Sequence, residues 1–212
     1  DHGSRDRPRK EDREGYKIIR HREFASPFDN SICPGMLGTL LRIAGDYDVI
    51  HAHSHLFFST NLTAMYTQFV DMPLVVTNHG LISQTAPRWL QKAFIPTVAR
   101  FTLESADTVL CYTETDKQRL GERGMSCEIS VVHNGIDCTK FMPGTKKDSG
   151  ELIILFVGRL KPGKGVKDLL IAFEEVLEEA PNATLKIIGG GPLQTDLIQQ
   201  AEQQRIDSEV DF

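Results

Sequence analysis

The sequence predicts an α/β fold made of two successive runs of parallel strands, each strand followed by a helix. Three observations carry that reading. Short apolar stretches alternate with segments of helical periodicity, the pattern of a parallel sheet covered by helices on both faces. The alternation breaks at residues 138–150, rich in Lys, Gly, Pro and Ser, and then restarts; such a break marks a boundary between two units. The 212 residues are 40% hydrophobic and 25% charged, an ordinary globular composition able to bury a core without staples.

In the first run, residues 1–23 hold eight Lys/Arg and six Asp/Glu, so residues 1–14 are expected to be a solvated, mobile tail. Residues 48–51 (Asp-Val-Ile-His) form a short strand, and residues 59–70 a helix. Residues 72–77 (Met-Pro-Leu-Val-Val-Thr) read as a buried strand closed by Asn78-His79-Gly80. Residues 88–105 form a longer helix with a kink at Pro96. A strand at 107–112, a helix at 115–123 stopped by Gly124 and a strand at 129–133 closed by Asn134-Gly135 complete the run.

In the second run, residues 152–157 (Leu-Ile-Ile-Leu-Phe-Val) read as a fully buried strand. The next helix is the clearest in the chain. Val166, Leu169, Leu170, Phe173, Val176 and Leu177 form one apolar stripe, and Glu174, Glu175, Glu178 and Glu179 take the opposite face. Pro181 ends it. A strand at 183–188, the turn Gly189-Gly190-Gly191-Pro192, a helix at 193–204 and a strand opening at 209 follow. Two strand–helix pairs and a stub fall short of the five or six strands of a doubly wound domain. The chain is therefore expected to be truncated within its second domain.

Several classes are disfavoured. A net charge of -5 argues against a nucleic-acid partner held by a basic surface. Cys33, Cys111, Cys127 and Cys138 form no CxxC and no zinc spacing, so they read as reduced thiols of a cytoplasmic protein. No apolar run approaches the roughly 18 residues that span a bilayer, and the charged start lacks the apolar core of a signal peptide.

The candidate chemistry sits at strand ends. Gly158-Arg159-Leu160-Lys161-Pro162-Gly163-Lys164-Gly165 lies between a buried strand and an amphipathic helix. That is the carboxyl end of the sheet, where open α/β folds bind ligands. Helix-start amides with Arg159 and Lys164 suit a phosphate or diphosphate; the alternative is a Gly/Pro turn bearing two solvated cations. The segment is neither a Walker loop nor a dinucleotide fingerprint. Gly189, Gly190 and Gly191 permit close approach of a ligand, or simply form a tight turn. His79 either contacts a ligand or bonds to turn backbone. His51, His53 and His55 alternate with no carboxylate between them, so no metal site is expected. Tyr47, Tyr112 and Trp89 are expected to pack. Leu56-Phe57-Phe58 and Phe94-Ile95 are expected in the core, with contact at a membrane surface as the alternative.

The motifs together resemble one family. Val131-Val132-His133-Asn134-Gly135-Ile136-Asp137, with Phe141 and Pro143, resembles the "I-P-N-G-V-D-x-x-x-F-x-P" segment of the retaining glycosyltransferases of family 4. Phe156-Val157-Gly158-Arg159-Leu160 and Lys164-Gly165 resemble its "F-V-G-R-L-x-x-x-K-G" motif, and Ile187 to Pro192 its "I-x-G-x-G-P" turn. Ala106-Asp107 and the segment ending in Gly80 also fit, so the resemblance covers about residues 48–212.

The resemblance implies a GT-B-like α/β fold: two Rossmann-like parallel-sheet domains, both incomplete at the chain ends. Residues 1–143 would be the acceptor-side domain without its first strand, and residues 144–212 the start of the domain that binds a nucleotide-sugar donor. Arg159 and Lys164 would hold the donor diphosphate, with Gly158 beside them. His79 would touch the donor sugar and the reacting centre, and Gly189, Gly190 and Gly191 the nucleotide. The donor would be UDP- or GDP-linked, with no cofactor and no metal. The acceptor would be a sugar, a lipid-linked molecule or a small molecule, met in the cytoplasm or peripherally at the inner face of a membrane. The family's "E-x7-E" motif would belong beyond Phe212 and has no counterpart in the second run, and its glycine-rich loop on the first strand does not occur here, so this segment alone is expected to be inactive. A UDP-sugar epimerase of the same architecture and a non-catalytic nucleotide- or sugar-binding module are the competing readings.

Overall fold

The computed structural model describes residues 8–142, 144 and 152–212. Contacts group the chain into two units, Asp1–Asp137 and Cys138–Phe212.

The first unit opens with a hairpin. Strand β1 (Lys10–Arg13) pairs antiparallel with β2 (Tyr16–Ile19), with Arg13 opposite Tyr16. The expected mobile tail is therefore structured from Lys10 onward, and residues 1–7 lie outside the described residues. The cause is local. Glu14 and Gly15 both take positive φ, 45° and 89°, as a two-residue hairpin turn demands. The Arg20 guanidinium, 2.7 Å from Glu11, and that of Arg13 hold the Glu11 carboxyl below its usual range. Helix α1 (Gly35–Ile43) follows, in a stretch with no pattern readable from sequence.

The main sheet of this unit is parallel, in the order β3 (Ile50–His53), β4 (Leu74–Thr77), β5 (Thr108–Cys111), β6 (Glu128–Val131). Helix α2 (Phe58–Thr67) joins β3 to β4. Between β4 and β5 run α3 (Arg88–Phe94), a π-helical segment (Ile95–Ala99) and α4 (Arg100–Glu104). The expected kink at Pro96 thus takes the form of a widened turn, because proline has no N–H to give the preceding turn. Helix α5 (Glu114–Glu122) joins β5 to β6; the Thr113 hydroxyl caps it by accepting from the Asp116 amide at 3.1 Å.

The second unit holds β7 (Leu152–Val157), β8 (Ala183–Ile188) and β9 (Val210–Asp211), parallel and in that order. Helices α6 (Val166–Glu179) and α7 (Gln194–Gln204) connect them. Leu160, Val166, Leu170, Phe173, Leu185, Ile187 and Leu197 form its buried core.

The expectation of helices on both sheet faces does not hold among the described residues. Strand order runs one way in each sheet, and right-handed crossovers in one direction place every connecting helix on the same face. In the second unit Ile154 and Phe156 turn toward α6 and α7, while Ile153, Leu155 and Val157 stay 48%, 59% and 67% exposed. Strand β7 is therefore not fully buried. Tyr47 and Trp89, expected to pack, are exposed, as is Phe57; Leu56, Phe58, Phe94 and Ile95 are only half-buried. Among the described residues no helix is long and apolar enough to cross a membrane.

Candidate functional site

Parallel strands send all their carboxyl ends to one edge of the sheet, and each unit gathers its candidate residues there. Each edge is described by itself.

In the first unit the edge is built from side chains. His51 and His53 share one face of β3, with ring centroids 4.6 Å apart. Nε2 of His51 shares a 2.7 Å hydrogen bond with the Thr77 hydroxyl on β4. Nδ1 of His53 lies 2.9 Å from Nε2 of His79, and Nδ1 of His79 lies 3.2 Å from the Tyr112 hydroxyl beyond β5. His133, beyond β6, donates from Nδ1 to the Tyr112 carbonyl at 2.8 Å. All four strands of the sheet thus contribute to one chain of contacts centred on His79.

Helix α2 supports this edge from behind. The Thr60 hydroxyl donates to the His53 carbonyl at 2.8 Å, and the Asn61 amide to the His55 carbonyl at 2.8 Å. Burial holds the His79 and His51 imidazoles below their usual range, and neighbouring histidines push the same way. His55 points elsewhere: it is 1% exposed, and burial lowers its pKa to about 4. Its Nδ1 and the Nδ2 of Asn78 have no hydrogen-bond partner. Among the described residues no group of three or more His, Cys, Asp or Glu is arranged to hold a metal.

In the second unit the edge is built from backbone. The loop after β7 and the loop after β8 are stitched together: Gly158 N donates to Ile188 O at 3.0 Å, Leu160 N to Gly190 O at 2.9 Å, and Leu193 N to Leu160 O at 3.0 Å. Gly189 and Gly191 take φ of 153° and 159°. A Cβ on Gly189 would sit 1.9 Å from the Gly158 carbonyl oxygen, and one on Gly191 2.3 Å from that of Leu160. The close approach these two glycines permit is to the neighbouring loop. Gly190 differs, since a Cβ there meets nothing within 4 Å. Arg159 and Lys164 are exposed on the stitched loop. Helix α6 starts from Gly165 at φ 71°, which has no side chain to cap the first turn, and Asp168 places one carboxylate in that turn; an anion at the helix start would meet the free amides together with the exposed Arg159 and Lys164.

His79, singled out at its strand end, thus gains His53 and Tyr112 as partners that the sequence reading set aside. The signal was there: alternate histidines on a strand end share a face, and a tyrosine directly follows the next strand. Pro143 and residues 145–150 of the expected linker lie outside the described residues.

Comparison with known proteins agrees with this layout. Residues 2–140 match the model of Glycosyltransferase Family 4, and residues 137–212 that of Glycosyl transferases group 1. The glycogen synthase of Mycobacterium tuberculosis is 30% identical over 166 residues, 75% of this chain and 39% of the relative. The alpha-monoglucosyldiacylglycerol synthase of Streptococcus pneumoniae is 26% identical over 81% of this chain and 43% of its own length. The chain thus spans less than half the length of these relatives. The crystal structure of Anabaena Alr3699/HepE in complex with UDP superposes with a TM-score of 0.67 at 19% identity, over 85% of this chain and 51% of that one. The likeness shows the GT-B-type α/β fold that the motifs implied.

Proposed function

The chain belongs to the glycosyltransferases of family 4 and group 1, and from that premise we propose that the protein moves a sugar from a nucleotide-diphosphate donor to an acceptor with retention at the anomeric carbon. The supporting observation is the stitched loop at 158–165, which presents Arg159 and Lys164 beside an uncapped helix start.

The chemistry follows from charge. As the bond from the anomeric carbon to the diphosphate oxygen breaks, negative charge grows on the leaving group. Cations held in place there stabilise the transition state more than the ground state. Arg159 offers a bidentate fork and Lys164 a point charge. The acceptor hydroxyl attacks the same face, and its proton passes to the leaving phosphate oxygen. His79, oriented by His53 and Tyr112, contacts the donor sugar. Gly190 lies against the nucleotide.

Residues 1–143 would serve the acceptor and residues 144–212 the donor. The relative named for a diacylglycerol product and the relative named for glycogen support lipid and sugar acceptors as classes. The UDP in the solved neighbour supports a uridine donor over a guanosine one. Residues 1–212 alone are proposed not to turn over, because they cover only 39–43% of these relatives. Family membership favours transfer over the epimerase and binding-module readings.

The test is to incubate a full-length protein that contains this chain, and residues 1–212 alone, with UDP- and GDP-sugars and candidate acceptors, following nucleotide release and the anomeric signal of the product. Release with a retained anomer is expected from the full-length protein and none from residues 1–212. An inverted anomer sinks the retention claim. Tight nucleotide binding without transfer to any acceptor revives the binding module.

A further inference from the structure

A groove of about 720 Å³ runs along the first unit, apart from the residues assigned so far. One wall is the loop that leaves β4 immediately after His79, from Ile82 to Ala86. The floor is a single face of α3 and the π segment: Arg88, Lys92, Ile95 and Pro96. The far wall is Arg123 and Met125, beyond α5.

Hydrogen bonds fix both walls. The Gln91 amide donates to Ser83 O at 3.0 Å and Ala86 O at 2.7 Å, and its carbonyl oxygen accepts from Ser83 N at 3.1 Å. Arg100 donates to Arg123 O at 3.1 Å and Gly124 O at 2.9 Å, while pairing with Glu104 at 2.7 Å. Gln91 and Arg100 are therefore structural, and the groove exists without a ligand to shape it.

The chemistry of the lining selects an occupant. Ile82, Ile95, Pro96 and Met125 make it apolar, yet no carboxylate lines it. Arg88, Lys92 and Arg123 point no ion pair at any carboxylate among the described residues. That is an unbalanced positive site in a chain of net charge -5. A neutral lipid entering would leave these exposed cations without a counter-charge, whereas an anionic headgroup pairs with them through charge-assisted hydrogen bonds. A bare phosphate ester would leave the apolar length unfilled. A molecule joining an anionic phosphate to an aliphatic chain satisfies both parts.

We propose that this groove holds an anionic lipid, its phosphate against Arg88 and Lys92 and its aliphatic chain over Ile95, Pro96 and Met125, and that this lipid is the acceptor. The last clause rests on the transferase reading; the binding does not. Arg88 and Lys92 stand four apart on one helix, so they meet one phosphate together.

The experiment titrates the 212-residue chain, with no donor present, against dihexanoyl phosphatidic acid kept monomeric. Glycerol 3-phosphate and dihexanoyl phosphatidylcholine are the comparisons. Isothermal titration calorimetry reports the binding. The phosphatidic acid is expected to bind at least about tenfold tighter than either comparison, and Arg88→Gln and Lys92→Gln each to weaken it about tenfold. Both residues are exposed, so the thermal midpoint is expected to hold. Equal binding of glycerol 3-phosphate overturns the apolar half, and equal binding of phosphatidylcholine the anionic half. Binding unmoved by both substitutions, or no binding, overturns the site. Transfer to a water-soluble acceptor by a protein that binds no lipid would defeat this inference and leave the transferase reading standing.

Discussion

The two sheet edges solve the same positioning problem with different materials. In the first unit, His53, His79 and Tyr112 hold one another through ring nitrogens and a hydroxyl at 2.9 and 3.2 Å. In the second, two loops lock through main-chain bonds, and Gly189 and Gly191 exist to let them touch. A side-chain cluster fixes an orientation and a tautomer, and it responds to pH. A glycine-locked loop fixes where amides and charges stand and is indifferent to pH. The first suits a group that must meet a reacting centre in one orientation. The second suits a cradle for a diphosphate whose charge never changes sign.

The largest effect expected is on the second edge. Arg159→Ala and Lys164→Ala are each predicted to lower kcat about 10²–10³-fold in the active protein, as loss of one preorganised donor does. Steady-state rates check this, and unchanged turnover would leave the edge a mere turn.

The first unit, by contrast, should carry the pH dependence of stability. His55 titrates near 4 when folded against an ordinary value of 6.5. Between those values the unfolded chain binds more protons, so stability is complete above 6.5 and falls as pH drops toward 4. The loss is roughly 3 kcal/mol. Urea unfolding across that window measures it, and His55→Gln should flatten the curve.

Next come the glycines, which sharpen the contrast within one loop. Gly189→Ala and Gly191→Ala should each cost about 1–3 kcal/mol, because the new Cβ overlaps backbone. Gly190→Ala should change the melting temperature little, since its Cβ meets nothing. A large loss of nucleotide affinity in Gly190→Ala would then report the ligand itself.

Smallest is the effect of His53→Ala, predicted to lower kcat about tenfold while nucleotide affinity stays unchanged. The charge of His53 helps to hold the His79 pKa down. Its removal raises that pKa, so the acid limb of the pH–rate profile should move to higher pH. A pH profile that stays put would reduce His53 to packing.

Much of the fold was legible because apolar runs such as 152–157 stand out between turn residues and the stripe on α6 declares its period, although the unbroken run at 152–157 hid which of its faces is exposed. The β1–β2 hairpin was hidden: Lys10–Arg13 has no apolar alternation, and only the Glu14-Gly15 turn sets its pairing. Single-faced packing was also missed, since helix placement follows from strand order rather than from any local pattern. At the site, His79, Arg159 and Lys164 stood out by lying at strand ends. Tyr112 also lies at a strand end, but its part in the cluster depends on His79, 33 residues away. The sequence of the glycine turn fits either room for a ligand or a tight turn; for Gly189 and Gly191 the close neighbours are the Gly158 and Leu160 carbonyls. The groove was invisible to sequence reading because residues 82–96 and 123–125 meet only once the crossovers are made.

The most direct measurement is calorimetric titration of UDP and GDP into the protein and into its Arg159→Ala/Lys164→Ala double variant. The account predicts a saturable nucleotide site in the first and a loss of about 100-fold or more in the second, with UDP preferred. Equal affinity in both proteins would contradict it, because the stitched loop would then hold no diphosphate.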